Sequence, residues 1–226
     1  MTDVFIVDAC RTPIGKLGGV LARVRPDDLA AHAMWHLMDR NPEVDPTEVE
    51  DVHWGAANQA GEDNRDVARI AWLLAGLPLE TGGVTTNRLC GSSLQATIQA
   101  GHALSAGWGD VAVAGGSESM SRAPLVMMSK PKAAYRPGLP EMADTTLGWR
   151  LVNPRWADRY RALGMGETAE EVAERWGVTR QEQDEFALES HRRAVAAREL
   201  LAPEIVPIEA PQDDRGRESS LVRHDE

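Results

Sequence analysis

The 226-residue chain is 42% hydrophobic and carries a formal charge of −11, enough apolar content to bury the core of one large domain or two small ones. That charge argues against a nucleic-acid partner, whose phosphates demand a basic face, although a local group of Lys and Arg could still hold a few phosphates. No apolar run reaches the length of a membrane span, the N-terminus lacks the succession of a signal peptide, and two cysteines, Cys10 and Cys90, make neither a disulfide framework nor a cysteine-rich metal site, so a cytoplasmic location is expected.

In chain order, Val4 to Ala9 is nearly all apolar, which predicts a strand covered on both faces of an α/β sheet, with Cys10 packed at its end. Gly15, Gly18 and Gly19 form a turn without the spacing of a dinucleotide fingerprint. From Asp27 to Met38 the apolar positions recur at helical spacing up to the Asn41-Pro42 break. His32 and His36 are four apart on this helix, but no acidic partner sits between them as in a zinc-protease helix, so they read as ordinary helix residues. Val52 to Ala57 predicts a second strand and Val67 to Ala75 a helix. The polar run Gly61 to Arg65 between them predicts a loop whose polar groups cap that helix.

Gly83 to Ser93 reads as strand, sharp turn and helix, with Cys90 at the helix entrance and the helix continuing from Leu94 to Leu104. Unpaired backbone N–H groups and the positive end of the helix dipole favour a thiolate there, which is what a nucleophilic cysteine needs. Asp110 to Gly115 is another apolar strand, and the alternation of strands and helices predicts a largely parallel sheet. Gly115-Gly116 permits either a close backbone approach or a plain turn. Beyond Met120 the regular periods fade, and Arg122, Lys130, Lys132 and Arg136 form a basic cluster. Thr168 with Glu171 and Thr179 with Glu182 each have the Thr-x-x-Glu form of a capping box. Glu204 to Glu209 alternates as a strand, and the chain ends in the polar run Gln212 to Glu226.

Three stretches, in order and separation, carry a resemblance: Val4 to Gly15, Asn87-Arg88-Leu89-Cys90-Gly91-Ser92-Ser93-Leu94-Gln95-Ala96, and Ala114-Gly115-Gly116-Ser117-Glu118-Ser119-Met120-Ser121-Arg122-Ala123-Pro124. They resemble the thiolases, which make or cleave 3-oxoacyl-CoA thioesters. The resemblance implies an α/β, thiolase-like layered fold: a core over residues 1–121, then a loop domain over 122–226 that covers CoA, with the fold incomplete after 226. It implies that Cys90 is the acyl-carrying nucleophile, that Leu147 and Met165 contact the pantetheine, and that CoA is a substrate, with no other cofactor and no metal. Gly164 stands where many biosynthetic members have a histidine.

The family's base lies in a Gly-His-Pro motif, and none of His32, His36, His53, His102, His191 and His224 precedes a proline. Its proton donor is a second cysteine, for which nothing after Cys90 can stand in. The chain is therefore expected to hold only the first part of a thiolase, to need the remaining half for turnover, and to expose apolar surface without it. With that half it is expected to form a homo-oligomer. Gly61 to Arg65, Thr146 to Arg150 and Asn153-Pro154 look most like the 3-oxoadipyl-CoA branch of aromatic degradation. The Cys90 motif is equally at home in fatty-acid β-oxidation. Two alternatives stay open: a condensing relative such as a ketosynthase, and a non-catalytic subunit that binds CoA or a partner.

Overall fold

The computed structural model describes residues 2–58, 61–128, 142–213 and 215–226. The chain forms two compact units, Met1–Ala123 with Glu204–Glu226, and Pro124–Pro203. The change in character expected at 121/122 lies two residues from the unit boundary, while the closing segment from 204 groups with the first unit.

In the first unit, α1 (Pro26–Asp39) precedes β1 (Val49–Gly55), α2 (Val67–Leu74), β2 (Gly82–Thr86), α3 (Ser92–Ser105) and β3 (Val111–Gly116). The three strands make one parallel sheet in the order β2-β1-β3. Parallel neighbours need helical crossovers, and α2 and α3 supply them. Strand alternation then decides the layers. Val52 and Trp54 of β1 pack with Ala30, Met34 and Met38 of α1 and with Val67, Ala71 and Trp72 of α2. Asp51, His53 and Gly55 point to the opposite face, and Gly55 lies against Ser92 and Ser93 of α3.

The start of α2 is not capped by the loop before it, because Asp66 makes no side-chain cap bond. The Thr85 hydroxyl of β2 accepts from the Ala68 N–H at 3.3 Å and donates to Asp66 at 2.7 Å. In that loop Asn64 and Arg65 hold φ values of 52° and 74°. An ion-pair network braces it: Arg25 meets Asp27 at 2.7 Å and Glu62 at 3.1 Å, Arg122 grips both oxygens of Glu62, and Asn64 donates to Asp27 at 2.9 Å.

The Arg122 hydrogen bond, offset in part by burial, holds the Glu62 carboxyl below the usual range. A depressed carboxylate stabilises the fold fully above its unfolded value of about 4.3 and loses that contribution as pH falls through the folded value. The urea midpoint is therefore expected to drop between about pH 6 and about pH 3, and to drop less in Glu62→Gln. Equal drops in the two proteins would rule out this role for Glu62.

Three expectations for this unit are corrected. Val4 to Ala9 forms no strand and pairs with none among the described residues, and Phe5, Ile6 and Val7 are 80–83% exposed. A ladder takes two edges, and composition supplies only one of them; an isolated bridge from Arg11 to Ile205 is the nearest pairing. The strand expected over Glu204 to Glu209 is β6 (Ile208–Pro211). The polar tail after it contains β7 (Ser219–Val222), antiparallel to β6 with Ile208 opposite Val222.

In the second unit, the short strands Leu125–Met127 (β4) and Met142–Asp144 (β5) pair antiparallel, followed by α4 (Pro154–Ala157), α5 (Met165–Trp176) and α6 (Arg180–Leu201). Helix α5 begins before the expected box. Its N-cap is Gly164, whose N–H donates to Glu167 at 2.7 Å, and the Thr168 hydroxyl turns back to the Gly164 carbonyl at 3.0 Å. The box at α6 forms as expected, with Thr179 N–H on Glu182 at 2.8 Å and Glu182 N–H on the Thr179 hydroxyl at 3.3 Å. No residue of α4, α5 or α6 is buried, so the apolar side chains of α5 and α6, Trp176 and Phe186 among them, stand open.

Candidate functional site

All three parallel strands end on the same side, with Gly55 in register with both Thr86 and Gly116. Ligands of open α/β sheets bind outside such carboxyl ends. The turn from Asn87 to Gly91 leaves β2 here and enters α3, and Cys90 lies on it, exposed, one residue before the N-cap Gly91.

Two glycines let the helix start sit on the strand ends. A Cβ on Gly55 would come 2.3 Å from the Ser93 nitrogen, and one on Gly116 would come 2.7 Å from the Ser93 Cβ. A Cβ on Gly115 would meet the Trp54 ring at 2.4 Å. Of the two readings of Gly115-Gly116, close approach is the one the structure adopts.

The turn itself is strained and held. Leu89 has φ 50°, a conformation that costs a non-glycine residue about 1–3 kcal/mol. Its N–H donates to Asn87 Oδ1 at 2.9 Å, and its carbonyl accepts from the Ser92 hydroxyl at 2.6 Å. Ser92 Oγ also accepts from the Arg88 N–H at 2.9 Å. Asn87 and Ser92 are functional candidates that residue-type patterns alone do not single out. Their signal in the sequence is only their place within the Cys90 motif.

The other cysteine is different. Cys10 is half-buried, its thiol 3.4 Å from the Ala33 carbonyl, and burial pushes its pKa up. It lines a cavity of about 560 Å³ between residues 8–17, α1 and the end of β3, and Cys90 is not among the lining residues. Iodoacetamide is expected to modify Cys90 at least about tenfold faster than Cys10. Peptide mapping after partial reaction checks this, and equal labelling would contradict it.

Leu147 and Met165 lie in the second unit, both exposed. The Trp149 indole N–H donates to the Leu163 carbonyl at 2.9 Å, so each of the two residues is two positions from one shared bond. Of the basic cluster, Arg122 is engaged with Glu62, and Lys130, Lys132 and Arg136 lie outside the described residues. Among the described residues no three His, Cys, Asp or Glu side chains gather as metal ligands, and no helix is long and apolar enough to cross a membrane. His32 instead bonds the Pro207 carbonyl at 2.9 Å.

Residues 4–226 match the family model for the thiolase N-terminal domain. The 3-oxoadipyl-CoA/3-oxo-5,6-dehydrosuberyl-CoA thiolase of Escherichia coli is 53% identical over 92% of this chain and 52% of that protein. A beta-ketoadipyl-CoA thiolase of Pseudomonas aeruginosa is 51% identical over 99% of this chain and 55% of that protein. Among solved structures, an acetyl-CoA acetyltransferase of Bacillus anthracis superposes with a TM-score of 0.82 at 35% identity, covering 96% of this chain and 53% of its own. The chain thus spans about half the length of the relatives it matches.

Proposed function

The chain belongs to the thiolase family, and from that premise we propose that it supplies the nucleophilic half of a degradative thiolase acting on CoA thioesters. The observation that carries this reading is Cys90, exposed on a strained turn between a parallel strand and a helix start. In the proposed reaction the Cys90 thiolate attacks the 3-oxo carbonyl carbon. The bond between C2 and C3 breaks, its electron pair leaves as the enolate of acetyl-CoA, and a proton converts that enolate to acetyl-CoA. The shortened acyl group stays on Cys90 as a thioester until a CoA thiolate attacks its carbonyl and expels the Cys90 thiolate.

Nucleophile, base and proton donor are separate requirements. The 226 residues contain no Gly-His-Pro motif and no cysteine after Cys90, so in this reading the base and the proton donor come from elsewhere. Relatives named for 3-oxoadipyl-CoA favour a dicarboxylic substrate, which would leave a succinyl group on Cys90. Leu147 and Met165 are the proposed pantetheine contacts, supported by their exposure beside the Trp149–Leu163 bond. A cytoplasmic homo-oligomer completed by a second half is the proposed working form, with CoA as substrate and no metal.

The test is a half-reaction that needs neither missing group: Cys90 attacks the carbonyl of succinyl-CoA and CoA leaves as its thiolate. Intact mass after incubation is expected to show one succinyl group, mapped to Cys90. Absence of any adduct with succinyl-, butyryl- and acetyl-CoA, alongside measurable CoA binding, would instead favour a passive CoA-binding subunit.

A further inference from the structure

The strained turn before Cys90 is tied to the ends of both other strand connections by a relay of hydrogen bonds. Glu118, two residues past β3, accepts through Oε2 from the Ala57 N–H at 2.8 Å and the Asn58 N–H at 3.0 Å, in the loop after β1. Its neighbour Ser117 is fixed to β1 twice, through its N–H on the Gly55 carbonyl at 3.0 Å and through the Trp54 indole N–H on its hydroxyl at 3.0 Å. The Ala57 carbonyl accepts from Asn87 Nδ2 at 2.8 Å, and Asn87 Oδ1 accepts from the Leu89 N–H at 2.9 Å. Residues 118, 57, 87 and 89 thus form one path from β3 through β1 to β2.

Both ends of the Asn87 amide are used, which fixes its orientation: nitrogen toward Ala57, oxygen toward Leu89. A left-handed leucine relaxes unless the surrounding bonds over-determine it, and the relay supplies that constraint from outside the turn. We propose that Asn87 and Glu118 are positioning residues for Cys90, holding the Leu89 peptide so that the thiol is presented to an acyl group in one geometry. The proposal rests on the reading of Cys90 as the acyl carrier. Neither residue touches the acyl group in this role, and Glu118, its Oε2 occupied by two amides, is assigned no proton transfer.

In a Cys10→Ser background Cys90 is the sole thiol, so a nitroxide attached to it reports on the turn directly. Asn87→Ala and Glu118→Ala are expected to shift its spectrum toward faster motion. In the unlabelled proteins succinyl transfer from succinyl-CoA is expected to fall about 100-fold for Asn87→Ala and about 10-fold for Glu118→Ala, because small misplacements of a nucleophile carry costs of that order. Asn87→Asp keeps the acceptor for Leu89, and Glu118→Gln keeps one for the loop amides, so each is expected to recover part of the rate at an unchanged thermal midpoint.

Spectra and rates of both alanine variants equal to those of their parent would overturn the proposal. Should an alanine variant fail to fold, the Asp and Gln variants decide it: parental spectra support the relay if Asn87→Leu, which has neither amide atom, is mobile, and oppose it if Asn87→Leu is equally rigid. If the unaltered chain takes no acyl group from any donor, the reading of Cys90 fails on its own, and the nitroxide comparison still decides whether the relay holds the turn.

Discussion

Gly55→Ala is expected to destabilise the first unit by about 3 kcal/mol or more, at the upper end of what overpacking costs. The added carbon would sit 2.3 Å from the Ser93 nitrogen, 2.4 Å from the Ser92 carbonyl carbon and 2.7 Å from the Ser93 Cα. All three are backbone atoms, so no rotamer change relieves the clash. Either the helix start lifts off the strand ends, dragging the Cys90 turn with it, or the strand bends away from both neighbours. Gly101→Ala is the matched control. Its Cβ would meet nothing within 4 Å in the middle of α3, and replacing glycine in a helix interior stabilises by about 0.5–1 kcal/mol. The two variants should therefore move the urea midpoint in opposite directions. A Gly55→Ala protein that unfolds with its parent would mean that α3 does not rest on β1 as described.

Cys90→Ala is expected to abolish acyl transfer from succinyl-CoA, a loss of at least about 1,000-fold, since it removes the nucleophile on which the proposed step depends. The exposed thiol makes little contact, so folding should be nearly unaffected. Cys10→Ser should retain transfer, because that side chain packs against α1 and not on the turn. Retained labelling in Cys90→Ala, or loss of labelling in Cys10→Ser, would assign the acyl group to the wrong thiol.

The elements that were legible are those whose signal is local. Helices α1, α2 and α3 carry apolar residues at helical spacing, β3 is a short apolar run, β1 shows itself through Val52 and Trp54 although Glu50, Asp51 and His53 interrupt it, and Thr179 with Glu182 writes its own cap. Cys90 was legible because strand, turn and helix follow within eleven residues. What depends on distant partners was not. Val4 to Ala9 has the composition of a buried strand, but pairing is a property of two segments. Strand β7 is two serines followed by Leu221 and Val222, too short an apolar run to stand out until β6 lies beside it. Thr168 lost the helix start to Gly164, four residues earlier, because the Glu167 carboxylate reaches back three residues to the Gly164 N–H. The relay through Glu118, Ala57 and Asn87 joins residues that lie 61 and 30 positions apart, and the left-handed Leu89 leaves no mark in residue type.

The open stretch around Phe5, Ile6 and Val7 also bears on how long the free polypeptide would last in a cell. Chaperones and proteases recognise extended apolar chain as unfinished, so clearance, more than synthesis, is predicted to set the abundance of an unaccompanied copy. Placing lysines at Phe5 and Val7 should then lengthen its half-life after translation is blocked; an unaltered decay curve would show that this stretch is not what the degradation machinery reads.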